Sequence, residues 1–188
     1  MDNQPLSRLL QGVLALLGIL ILLNALILWH TLRIEGALAP LQAAGPPQPE
    51  ALRPGVDAPD FALKDIDGHT VHLADLRGNS VLLVFASTEC GVCQKMFPHL
   101  GRFHREHPRQ TIVMILRGEE EAREKVVDEN KFDFPVLAWD DEVAHAYGVP
   151  GTPWFFLIDA EGKVRRSGTA NTLESITSFA LGQEDERR

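Results

Sequence analysis

Three short, almost wholly apolar runs constrain this chain most: Ser80–Ala86 (SVLLVFA), Thr111–Leu116 (TIVMIL) and Trp154–Asp159 (WFFLID). β-Branched and aromatic residues dominate them, which favours strands. None alternates apolar with polar, so each expects burial on both faces. A sheet buried on both faces needs helices above and below. The intervening segments supply them: a helix opening after Cys90, a charged helix over Glu119–Asp128, a short one over Asp141–Tyr147, and a closing one over Thr172–Leu181 capped by Asn171 or Thr172. Shorter strands are expected at Phe61–Lys64 and Thr70–Leu73, around the turn Asp65–Gly68, and at Phe134–Ala138 and Lys163–Ser167. Strands alternating with helices give an α/β domain.

The N-terminal third follows different rules. After a short tail, residues 1–8, no charge occurs between Arg8 and Arg33. Residues 9–29 (LLQGVLALLGILILLNALILW) would form a helix roughly 31 Å long, close to a hydrocarbon core of about 30 Å. They are expected to be an uncleaved transmembrane anchor, with Trp29 and His30 at an interface. A signal peptide is the alternative, since Ala37-Leu38-Ala39 resembles a cleavage site, but the apolar run is longer than an ordinary signal core. Residues 30–54 are rich in proline and alanine and read as a linker. The domain is expected over 55–182, with a charged tail at 183–188. Charges up to Arg53 cancel, so the net −8 of the chain belongs to the segment after it. That balance argues against nucleic acid as a partner.

Chemistry concentrates at Cys90-Gly91-Val92-Cys93, which are the chain's two cysteines. The motif follows a buried strand and opens a helix, whose N-terminus carries partial positive charge and free N–H groups. Both stabilise a thiolate, so Cys90 is the expected nucleophile and Cys93 the resolving thiol. A structural bridge would close too small a loop to constrain the unfolded chain much. A zinc site would need two more ligands, and His99, His104 and His107 are not spaced to turn back together on the cysteines.

These residues resemble the thioredoxin-like proteins, in particular the membrane-anchored TlpA/ResA branch. Pro98 stands where that family has a helix-kinking proline, and Gly151-Thr152-Pro153 is similar to its cis-proline loop. Gly55–Phe61 (GVDAPDF) is similar to an opening shared by the TlpA/ResA branch and the peroxiredoxins. Leu76-Arg77-Gly78, Phe134–Leu137 and Tyr147-Gly148-Val149 also fit the branch. Gly162–Arg165 and Asn171–Ser175 most resemble MauD, the methylamine utilisation group. The resemblance implies a thioredoxin-like α/β fold, a central mixed sheet flanked by helices, behind an N-terminal transmembrane helix. It implies a single-pass protein of the bacterial inner membrane with its redox domain on the periplasmic side. It also implies a thiol–disulfide oxidoreductase that uses no cofactor. The expected partners are client-protein disulfides or thiols, such as those of a methylamine dehydrogenase-like enzyme, and a membrane electron donor or acceptor. Thr152 and Pro153 are then implied to bind the client, and Glu89, Gly91, Val92 and Pro98 to modulate the site.

Two departures stand out. Thioredoxin has a buried aspartate where this chain has Val84, and ResA-like proteins have a glutamate where Met96 stands. Glu89 is the one acid adjacent to the motif, and it can be read as a proton relay, a like charge raising the Cys90 pKa, or a solvated loop residue. Two other functions remain open at this point. A thiol peroxidase would want proline and threonine or serine seven and three residues before its cysteine, and Leu83 and Ser87 occupy those positions. A copper chaperone would use both sulfurs as soft ligands.

Overall fold

The computed structural model describes residues 14, 16–30 and 50–182. The chain divides into two units, one up to Gln48 and one from Pro49 onward.

In the first unit residues 14 and 16–30 are helical, and their large apolar side chains, Leu16 through Trp29, are exposed. Asn24 satisfies its amide within the helix by donating to the carbonyl of Leu20 (2.9 Å). Residues 9–13 and 15 of the expected span lie outside the described residues, as do 31–49 of the linker and the tail 183–188. Among the described residues no helix is long and apolar enough to cross a membrane.

The second unit is built on a five-stranded sheet. Its strands are β3 (Val81–Ser87), β4 (Thr111–Arg117), β5 (Val136–Ala138), β6 (Trp154–Ile158) and β7 (Val164–Gly168), in the order β5-β4-β3-β6-β7. β3 pairs parallel with β4, and β4 with β5, whereas β6 runs antiparallel to both β3 and β7. The sheet is therefore mixed. A separate hairpin joins β1 (Ala62–Lys64) to β2 (Thr70–His72). Its turn is set locally: Asp65 Oδ1 accepts from the N–H groups of Asp67 (3.0 Å) and His69 (2.8 Å), and Gly68 takes φ +84°.

β3 explains why the core lies on both sides. All seven of its residues are buried. Leu82, Val84 and Ala86 face one cluster with Met96, Leu100 and Phe103 of α1 (Gly91–Glu106) and Ile176 and Phe179 of α4 (Leu173–Leu181). Val81, Leu83 and Phe85 face the other, with Phe156, Tyr147 and Ala144 of α3 (Asp141–Ala146). The charged α2 (Glu120–Asn130) has no fully buried residue and contributes Val126 and Val127 to the edge of the first cluster. Thr172 caps α4 through a reciprocal box with Ser175, which settles the choice between Asn171 and Thr172. α1 continues through Pro98 to Glu106, so that proline is interior to the helix.

The strand pairing places the site. Phe85, near the end of β3, lies opposite Trp154, the first residue of β6. The loop entering β6 and the loop leaving β3 therefore meet at one end of the sheet. The first carries Thr152–Pro153 and the second Cys90.

The domain's edge differs from the sequence expectation. The composition extends the linker to residue 54, but Ala51 and Leu52 pack on the second core cluster and Leu52 N–H donates to the carbonyl of Tyr147 (3.1 Å). An apolar side chain and a free amide close to the fold are enough to draw this stretch onto it.

Candidate active site

Cys90 is the N-cap of α1, with φ −83° and ψ 111°. Its sulfur accepts from the N–H of Cys93 at 3.2 Å, the position a serine or aspartate oxygen takes in an ordinary cap. On its other side Cys90 Sγ lies 3.3 Å from the carbonyl oxygen of Thr152, to which the thiol donates. The Thr152–Pro153 peptide is cis, as the resemblance implied. Cys90 and Cys93 are both free thiols, the first partly exposed and the second fully buried.

The two thiols differ in acidity. For Cys90, burial is the largest single influence and opposes ionisation. Hydrogen bonds from the side chain and N–H of Cys93, from the Thr152 side chain and from the N–H of Val92 together outweigh it, and the thiol is held below its ordinary value. For Cys93, burial comes first and the hydrogen bond with Cys90 second, and the thiol is pushed up to about 12. Val84 and Met96, the two departures singled out by the sequence, are both fully buried and apolar. Among the described residues, no carboxylate is among the main influences on the Cys93 thiol.

The remaining residues singled out by sequence fall into two groups. Val92 is half exposed beside the sulfur, and it lines a cleft of 360 Å³ with Pro150, Thr152, Pro153, Trp154 and Asn171. Glu89 is exposed and makes its backbone bond to Ser87 Oγ (3.3 Å). Gly91 faces open space, so no close approach demands glycine there. Pro98 borders a different groove, with Thr88, Phe97 and Val126. His104 is held by Asp133 (Nε2–Oδ1 2.7 Å), so it is not gathered with the cysteines. Sequence reasoning missed Trp154 and the loop residues Thr169 and Asn171 as walls of the cleft. The available signal was topological: that loop follows β7, which pairs antiparallel with β6 and so ends beside the start of β6.

A nucleophilic thiol capping a helix, with a buried partner thiol one turn behind it, can exchange disulfides. Comparison with known proteins decides the family. The AhpC/TSA family profile matches residues 54–167. The chain belongs to the AhpC/TSA family. Within that family it is similar to the thiol-disulfide oxidoreductase ResA of Bacillus subtilis (strain 168), with 35% identity over 131 residues, 68% of this chain and 73% of ResA. ResA of Geobacillus thermodenitrificans (strain NG80-2) is 34% identical over 120 residues, 62% of this chain and 69% of that protein. Among solved structures, the thioredoxin domain of a thiol-disulfide oxidoreductase from Bacteroides vulgatus superposes with a TM-score of 0.61 at 25% identity, covering 69% of this chain and 99% of that one. This AhpC/TSA member is thus a thioredoxin-like thiol–disulfide oxidoreductase of the ResA type.

Proposed function

We propose that Cys90 and Cys93 carry the exchange, with Thr152 and Pro153 as the edge against which the client chain docks. The observation that carries this reading is the N-cap bond from Cys93 N–H to Cys90 Sγ, made by a residue whose own sulfur is buried. In the reducing direction the Cys90 thiolate attacks one sulfur of a client disulfide. A Cys90–client bond forms, and the client's other sulfur leaves as a thiolate and takes up a proton. Cys93 then loses its proton and attacks Cys90 Sγ, which closes the Cys90–Cys93 disulfide and releases the second client thiolate. The client gains two electrons and the pair loses two. The oxidising direction is the same path reversed.

We further propose that the apolar run at 9–29 tethers the domain to the bacterial inner membrane as a single span, with the redox domain on the periplasmic side. The absence of charge from that run supports this. Clients are then exported proteins, and the similarity of Gly162–Arg165 and Asn171–Ser175 to MauD favours the maturation of a methylamine dehydrogenase-like enzyme. A membrane electron donor or acceptor would reset the pair.

The reduction potential of the Cys90–Cys93 pair tests the direction. A value near −120 to −180 mV would place the protein with oxidants and isomerases, and one near −270 mV with reductants. Labelling of Cys90 in intact cells by a membrane-impermeant thiol reagent tests the compartment, and protection there would sink the periplasmic assignment. The AhpC/TSA match gives a thiol peroxidase reading some support. Peroxide consumption with a thiol reductant would decide for it.

A further inference from the structure

The stretch ahead of β1 is bonded into the frame of the reactive loop. Leu52 N–H donates to the carbonyl of Tyr147 (3.1 Å), and the Leu52 carbonyl accepts from Ser167 Oγ in β7 (3.0 Å). One residue along, Gly148 lies directly against Glu50 and Ala51, and a Cβ there would run into the Glu50 carbonyl. Gly148 also has φ +61°, so both space and backbone conformation select glycine. Further on, Gly55 N–H donates to the carbonyl of Val164 (2.7 Å), and Val164 N–H donates to that of Val56 (2.9 Å). Residues 50–56 thus form a strap from the Tyr147–Gly148 turn to β7.

That turn leads into the reactive loop. Val149 N–H is held by the carbonyl of Ala144 (3.0 Å), and Pro150, Gly151, Thr152 and Pro153 follow. The two prolines have no N–H with which to anchor the loop. Its position is inherited from its two flanks, the turn upstream and β6 downstream. β7 pairs with β6, and Ser167 lies opposite Phe156. The strap therefore ties both flanks of the loop to each other.

We propose that the Glu50–Leu52 strap is a positioning element for client exchange, fixing the Thr152–Pro153 loop beside the Cys90 sulfur. This rests on the reading of that loop as the client-docking edge. A small disulfide reaches Cys90 without using the loop, whereas a peptide lies along it. Slackening the strap therefore slows exchange with peptides selectively.

The test uses the full chain in detergent. Exchange rates are measured with a disulfide-bonded peptide and with a small aromatic disulfide, well below the thermal transition. Ser167→Ala removes the Leu52 bond to β7 and leaves the Gly55 and Val56 bonds to Val164 in place, and Ser167→Thr keeps the hydroxyl. Gly148→Ala pushes Glu50 away, and if it fails to fold the serine pair decides alone. The expected result is a fall of roughly threefold to tenfold in the peptide rate for Ser167→Ala, an unchanged small-disulfide rate, and recovery in Ser167→Thr. A lowered Tm with an unchanged ratio of the two rates overturns the proposal, because the strap would then be structural only. Equal loss of both rates also overturns it. If Cys90→Ser still exchanges peptide disulfides, the underlying reading of the site fails instead, and the two failures are distinct.

Discussion

The N–H of Cys93 caps the sulfur of Cys90 at 3.2 Å, yet the sulfur of Cys93 is itself completely buried. One residue thus activates its neighbour through its backbone while its own side chain is withheld. The asymmetry between the two thiols follows from this arrangement, and so do the first two predictions.

Alkylation of the reduced protein with iodoacetamide at neutral pH should attach one label per chain, at Cys90. Its rate should titrate with a midpoint lower than that of an ordinary thiol. Linkage gives the matching stability profile. The lowered Cys90 value contributes stability that is present above the unfolded thiol pKa and lost as pH falls through the folded one. The raised Cys93 value contributes stability that is complete below about 8.5 and lost as pH climbs toward about 12. Mass spectrometry after timed labelling checks the first part, and two labels of similar rate would sink it.

Cys93→Ser should accumulate a mixed disulfide with clients through Cys90, visible as a shifted band on non-reducing gels. Cys90→Ser should give no such band, and its exchange should fall to the uncatalysed background.

A carboxylate placed under Cys93 should change the second half-reaction. Met96→Glu or Val84→Asp restores a proton acceptor at positions that are now apolar and fully buried. Release of the mixed disulfide at pH 7 should accelerate, since a placed general base is worth about 10²–10⁴ in rate. Burial of the new group should cost several kcal/mol in its ionised form, in which alone it accepts a proton. Single-turnover kinetics beside denaturant melts would separate the two effects, and unchanged release in a folded variant would contradict the argument.

Thr172→Ala breaks the box that opens α4. It should cost about 1 kcal/mol, because one capping oxygen is lost, and it should leave the exchange rate untouched. Chemical denaturation and an exchange assay on the same sample check both halves.

Much of the fold was legible because β3, β4 and β6 are nearly continuous apolar runs, and burial on both faces follows from that alone. The ends of elements moved by a residue or two: β3 was read from Ser80 and starts at Val81, and β5 was read from Phe134 and starts at Val136. Phe134 instead packs its ring on His104 and Phe132, a tertiary contact that no local pattern encodes. The cysteine pair was legible because the strand–CxxC–helix order is local. The strap was not. Leu52 sits in a proline- and alanine-rich stretch that reads as tether, and its partners Tyr147 and Ser167 lie about a hundred residues away. Trp154 was legible as a strand residue but not as a cleft wall, since that role depends on where β7 ends.

The apolar floor beneath Cys93 has a consequence for time. On the reading of Cys93 as the resolving thiol, release of a client joined to Cys90 waits on a thiol whose burial holds its proton, in a core cluster where Val84 and Met96 are apolar. The covalent complex is then expected to be long-lived. A client that needs moments to refold or to meet its next partner would be kept at the site for that interval, and Met96→Glu or Val84→Asp should shorten the stay.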